Sequence, residues 1–332
     1  MKKFILSALV VILPVYLLSS GKGVRGAFTR NCFIGSEYIA AGRSCEASVD
    51  DVFSVYWNPA GLVRLYNKKY LSSDEIRVKA EKNEIDDISE EDIRRMNEDT
   101  ARAFVQTGAT VSSIDVERRS VFAAVAFKFF SGAMAIGGYV INSPDIDRRD
   151  EAGVYKGKTS YSAGVSYFSY AFKSSIANFG FTFKGLGENI DGTQYFGAAG
   201  DIGAQFSVFP ILRIGVVAQD LGIFMKGGSI DGKKYDFGSS LVRAGISVSN
   251  AEQTIIITVS SVRKLEDETF EYNMGLTYNM EFVSLMIGLA DKNLTAGARI
   301  SVLDDSFELS YALSIDPVDL GYNNTISVSA AF

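Results

Sequence analysis

The chain has 332 residues, 47% of them hydrophobic and 22% charged, with 33 basic against 39 acidic side chains and a formal charge of −6. It can therefore bury a large core, and it lacks the cationic surplus that binding to nucleic acid requires. The absence of histidine removes Ser-His and Cys-His nucleophile pairs, His-ligated metals and the commonest general base, so neither an enzyme nor a metal or other cofactor is expected.

At the start of the chain, Lys2 and Lys3 precede an apolar run over 4–18 that ends in Ser19, Ser20 and Gly21. These are the three parts of a secretory signal peptide, assigned to residues 1–21. The run contains Pro14 and falls short of the roughly 20 residues that a spanning helix needs.

Segment 22–66 combines small residues (Gly35, Ala40, Ala41, Gly42, Ala47, Gly61) with the aromatic group Phe53, Tyr56 and Trp57, a composition that suits packing inside something larger. Cys32 and Cys45 lie in it. In an oxidising compartment they can form a disulfide closing a loop of about 13 residues, worth roughly 3 kcal/mol; two separate thiols is the other reading. Residues 67–103 form a charged insertion. From 73 onward it carries eleven acids and six bases, and Ser89 followed by Glu90, Glu91 and Asp92 marks a helix start. Two short amphipathic helices outside the bilayer are expected there, with a solvated face in preference to a partner surface.

From 104 to 332 the pattern changes to runs of alternating polarity separated by turn residues. Strands are expected near 104–114, 119–129, 132–142, 158–171, 176–186, 194–208, 211–220, 240–249, 253–264, 269–280, 282–290, 294–302, 306–316 and 323–332. In one of them Tyr272, Met274, Leu276 and Tyr278 oppose Asn273, Gly275, Thr277 and Asn279. Fourteen antiparallel strands, apolar and aromatic on one face and small or polar on the other, predict a closed transmembrane β-barrel, since lipid satisfies no unpaired strand edge. A soluble sandwich would alternate too; the signal peptide, the repeated aromatics and a last strand ending on Phe332 favour the barrel. Lys184, Arg213, Arg243, Arg299 and Glu308 would then face the lumen.

One motif stands above composition: Asp50-Asp51-Val52-Phe53-Ser54-Val55-Tyr56-Trp57-Asn58-Pro59-Ala60-Gly61-Leu62. Asn58-Pro59 begins a turn, with the residue before proline held extended, and Ala60 and Gly61 permit tight packing. With the Gly- and Ala-rich stretch 35–51 before it and the strand sequences at 180–184, 199–204 and 215–222 after it, this motif resembles the FadL-like outer-membrane barrels, the long-chain fatty acid transporter type, and especially their PorV/PorQ branch. The resemblance implies a 14-stranded barrel in the outer membrane with an N-terminal hatch, or plug, in its lumen. It assigns Asn58, Pro59 and Ala60, with the neighbouring Gly61, to a hatch that moves. The function implied is uptake of hydrophobic small molecules such as long-chain fatty acids, with Phe53, Tyr56 and Trp57 lining the ligand pocket. The alternative, from the PorV branch, is a scaffold or shuttle in a type IX-like protein secretion system, with the insertion or the loop 223–239 meeting partner proteins. Cys32, Cys45 and the charged insertion depart from the family pattern.

Overall fold

The structure, a computed structural model, describes residues 29, 32–64, 105–114, 118–174, 177–209, 211–227, 240–265, 269–302, 306–315 and 321–332. The expected signal peptide, the charged insertion and loop residues 228–239 lie outside the described residues.

The strands are β1 (Val105–Ile114), β2 (Arg118–Phe129), β3 (Gly132–Arg149), β4 (Tyr155–Lys173), β5 (Asn178–Ile190), β6 (Thr193–Phe209), β7 (Leu212–Gly227), β8 (Leu241–Ser249), β9 (Ile255–Lys264), β10 (Phe270–Asn279), β11 (Val283–Ala290), β12 (Asn293–Val302), β13 (Phe307–Ile315) and β14 (Tyr322–Ala331). Each pairs with its sequence neighbours, and β1 pairs antiparallel with β14 from Gln106↔Ala331 to Ser113↔Asn324, closing the barrel. No edge is left for lipid to solvate.

Outward-facing side chains are the apolar ones that alternation selected. On β10 these are Tyr272, Met274, Leu276 and Tyr278, all exposed, while Asn273 between them is buried. On β13 Leu309 and Tyr311 face out, and Glu308, Ser310, Ala312 and Ser314 face in. An exposed apolar belt of this kind needs a bilayer as its solvent.

Strands β8–β14 have 8–10 residues, close to the roughly 9–11 that cross a bilayer, whereas β3, β4, β6 and β7 run to 16–19 residues. The excess of β3 and β4 projects at the end opposite Val105 and Phe332. There the face rule ends and exposed ion pairs such as Lys158–Asp145 (3.1 Å) and Arg148–Asp191 (3.2 Å) replace it. The register slips between Ser143 and Ile146, where Pro144 offers no N–H to the ladder.

Inside the barrel sit two short helices, α1 (Ser36–Ala40) and α2 (Ser54–Trp57), and a 3₁₀ turn (Pro59–Arg64). Helix α1 lies against β11–β14 and the 3₁₀ turn against β3–β6. This segment fills the lumen toward the end that carries Phe332, and with the inward face of β1–β6 it forms the hydrophobic core.

Candidate functional site

Short, irregular elements inside a barrel leave many backbone groups without helix or sheet partners, and buried ones must find others. The wall supplies them, which explains why its inward positions are Ser, Thr, Gln and Asn. Thr110 Oγ1 accepts from Gly35 N (3.1 Å), Ser327 Oγ from Ser36 N (2.8 Å) and Gln106 Oε1 from Val52 N (2.8 Å). Thr295 Oγ1 donates to Ala40 O (2.9 Å), and Gln205 Nε2 donates to Glu46 O (3.1 Å) and Val49 O (2.9 Å). Contacts thus run around the lumen from β1 to β14.

The Asn-Pro-Ala-Gly turn is the tightest part. Asn58 is extended (φ −161°, ψ 105°), as a residue before proline must be. Its Nδ2 donates to Glu46 O (2.8 Å) and Ala204 O (3.2 Å), and its Oδ1 accepts from Ala60 N (3.2 Å). Two wall glycines make room for it: a β-carbon at Gly203 would fall 2.0 Å from Asn58 Oδ1, and one at Gly180 would fall 2.4 Å from the Pro59 carbonyl carbon. Gly215, Gly275 and Gly288 allow the same approach by Glu46, Ala41 and Gly42.

Phe53, Tyr56 and Trp57 are fully buried within the hatch. Tyr56 and Trp57 meet edge to face at 4.9 Å, Phe53 lies 5.8 Å from Phe122 of β2, and Trp57 Nε1 donates to Ile34 O (2.9 Å). The sequence reading made these three the lining of a pocket; here they pack the plug. Cys32 and Cys45 stand as separate buried thiols, so the disulfide is not formed. Burial pushes the Cys32 thiol up to about 12 and raises that of Cys45 as well.

Three charge clusters join hatch to wall. Arg299 of β12 donates to Glu37 of α1 and to Ser284 Oγ (3.1 Å), with Glu308 of β13 at 3.9 Å. Arg243 of β8 lies 3.7 Å from Glu46, stacks over Trp57 at 5.4 Å and donates from Nε to Gln219 Oε1 (2.7 Å); Gln219 in turn donates to Tyr56 O. Burial raises the Glu46 carboxyl above its ordinary range, against the pull of Arg243. The third cluster is Lys184 of β5, 2.9 Å from Asp201 of β6 and 2.7 Å from Asp220 of β7, with Thr29 Oγ1 donating to Asp220 Oδ2 (2.9 Å). The lumenal placement of Lys184, Arg243, Arg299 and Glu308 follows from alternation, but their partners come from strands and hatch segments remote in sequence, which no spacing reveals.

Below the hatch, at the end carrying Phe332, lies a cavity of about 360 Å³ lined by polar groups that include Ser44, Ser48, Arg299, Glu308 and Asn279. The lumenal face of β2–β6 that meets the hatch is aromatic, with Phe122, Tyr139, Tyr167 and Tyr195 all buried and Phe122 between Phe53 and Tyr167.

No family model and no curated protein matches the sequence. Among solved structures, the chain superposes on the TodX monoaromatic hydrocarbon channel deltaS2 mutant with a TM-score of 0.55, covering 90% of this chain and 97% of that one at 10% identity. A Pseudomonas aeruginosa FadL homologue gives 0.50, covering 90% and 98% at 7% identity. The chain has the FadL-type fold. As expected of a FadL-type barrel, it has fourteen strands among the described residues and a closed sheet.

Proposed function

We propose that this protein is an outer-membrane barrel for uptake of hydrophobic small molecules, exported by its N-terminal signal peptide and lodged with its terminal end in the periplasm. The observation that carries this reading is the likeness of fold to a barrel named as a monoaromatic hydrocarbon channel. One feature of the lumen agrees with it. Apolar cargo gains about 25 cal/mol for each Å² removed from water, and Phe122, Tyr139, Tyr167 and Tyr195, buried against the hatch, would offer it an aromatic surface once the hatch shifts. The longest strands, β3 and β4, project at the end opposite Phe332, which in this reading faces the outside. In this reading Phe53, Tyr56 and Trp57 meet the ligand only when the hatch shifts, and Asn58, Pro59, Ala60 and Gly61 form the base of that shift. Aromatic hydrocarbons and long-chain fatty acids both belong to the cargo class.

The closeness of the hatch to the wall favours a second reading, a sealed barrel that serves as scaffold in a type IX-like secretion system of the PorV/PorQ kind, with the insertion 67–103 toward its partners. Uptake of radiolabelled oleate and toluene by cells carrying the chain, set beside native mass spectrometry of the protein extracted from its own membrane, separates the two. Saturable uptake or a stoichiometric bound apolar ligand is the expected result. No uptake, an empty barrel and a stoichiometric protein partner would overturn it in favour of the scaffold.

A further inference from the structure

The main-chain ladder between β6 and β7 is broken where it faces the hatch. Partners pass from Gly200↔Leu221 to Ile202↔Ala218, so Asp201 alone opposes both Gln219 and Asp220. One step further, Ala198↔Phe224 gives way to Gly200↔Leu221, and Ala199 opposes Gly222 and Ile223. Asp220 and Gly222 both take positive φ, 57° and 64°, as residues of a bulge do. In a membrane wall the groups freed by two successive bulges need new partners. Asp220 N–H finds Asp201 Oδ1 at 2.8 Å, and Asp220 O accepts from Ser240 Oγ at 2.9 Å.

Side chains therefore close this stretch of wall in place of main-chain bonds. The ammonium of Lys184 lies between the two carboxylates, all three groups at 1% exposure or less. From β4 and the hatch, Tyr167 and Tyr56 present their rings at 5.9 and 6.0 Å from Nζ. Two carboxylates share one ammonium in a dry site, so removal of the ammonium leaves like charges facing each other. The hatch reaches this cluster through Thr29, whose hydroxyl holds Asp220 and whose carbonyl accepts from Tyr56 Oη (3.3 Å) and from Cys32 Sγ (3.6 Å). The Asn58 turn, by contrast, rests among backbone atoms of β5 and β6.

We propose that Lys184, Asp201 and Asp220 are positioning residues of a latch that holds Thr29 of the hatch against the broken stretch of β6 and β7, and that hatch and wall part here and not at the Asn58-Pro59-Ala60-Gly61 turn. The inference deepens the uptake reading and rests on it only for the purpose of the parting. Cys32, beside the latch and buried, is a built-in reporter.

The test measures maleimide labelling of Cys32 in the full-length protein in liposomes, in a Cys45→Ser background, with heat-modifiable gel mobility confirming a folded barrel. Lys184→Met is expected to raise the labelling rate by about tenfold or more, because local opening sets access to a buried thiol. Lys184→Arg, which keeps the charge, is expected to restore most of the protection. Thr29→Val, which changes no residue of the wall, is expected to raise labelling by about threefold or more. Unchanged labelling in folded Lys184→Met, or in Thr29→Val should the first variant not fold, overturns the latch. So does equal labelling in the Lys184→Arg and Lys184→Met proteins. No ligand enters the readout: fast labelling without oleate or toluene uptake leaves the latch standing and removes the transport reading, and uptake with unchanged labelling does the reverse.

Discussion

Gly203→Ala tests whether the hatch is seated as closely as its contacts indicate. The new β-carbon would lie 2.0 Å from Asn58 Oδ1, and contacts below 3.0 Å are essentially never seen, so Asn58 or β6 must move by at least 1 Å. Overpacking of this kind costs about 1–3 kcal/mol. A displaced Asn58 also weakens its bonds to Glu46 O, Ala204 O and Ala60 N, each worth about 1 kcal/mol. The sum is about 2–5 kcal/mol against hatch docking. Trp57 is the chain's single tryptophan and is buried in the hatch, so urea titration of its fluorescence reads docking directly. Gly187→Ala is the matched control, since its β-carbon would meet nothing nearer than 3.9 Å. Equal midpoints for the two variants, with equal slopes, would refute the close seat.

Two further outcomes follow from burial and charge. Ile287→Arg, at the middle of β11 on the lipid face, should cost about 2–4 kcal/mol of barrel stability and Ile255→Arg, at the rim of β9, about 0–1; urea unfolding in liposomes gives both, and equal costs would contradict a bilayer around this belt. Burial raises the Glu46 carboxyl, so the docked hatch binds that proton more tightly than the undocked one. Docking strength should therefore fall as pH rises from the ordinary carboxylate value of 4.5 toward the raised one, and level off above it. In Glu46→Gln that portion of the slope should vanish whatever the baseline stability, as measured by Trp57 fluorescence against urea at a series of pH values.

The strands were legible because lipid outside and hatch inside impose opposite demands on alternate residues, as Tyr272 to Asn279 show. Legibility ended where one demand lapsed. Residues 143–149 of β3 stand beyond the bilayer and need no apolar face, so the strand outruns its alternation. In β7 the expected strand stopped at 220, and the structure carries it through a bulge at Asp220-Leu221-Gly222 to Gly227. The Asn58 turn declared itself through proline chemistry. Phe53, Tyr56 and Trp57 were open to either role from sequence, because an aromatic group that lines a pocket and one that fills a plug have the same composition. Lys184, Asp201 and Asp220 meet only because three strands stand side by side.

The glycine contacts bear on how the molecule is made. Atoms of the hatch lie where wall side chains would otherwise stand on β5, β6, β7, β10 and β11, so hatch and wall interlock. A segment interlocked in this way is seated most directly while the sheet is still open, which links the fit of the hatch to the pairing of β1 with β14 that closes the barrel.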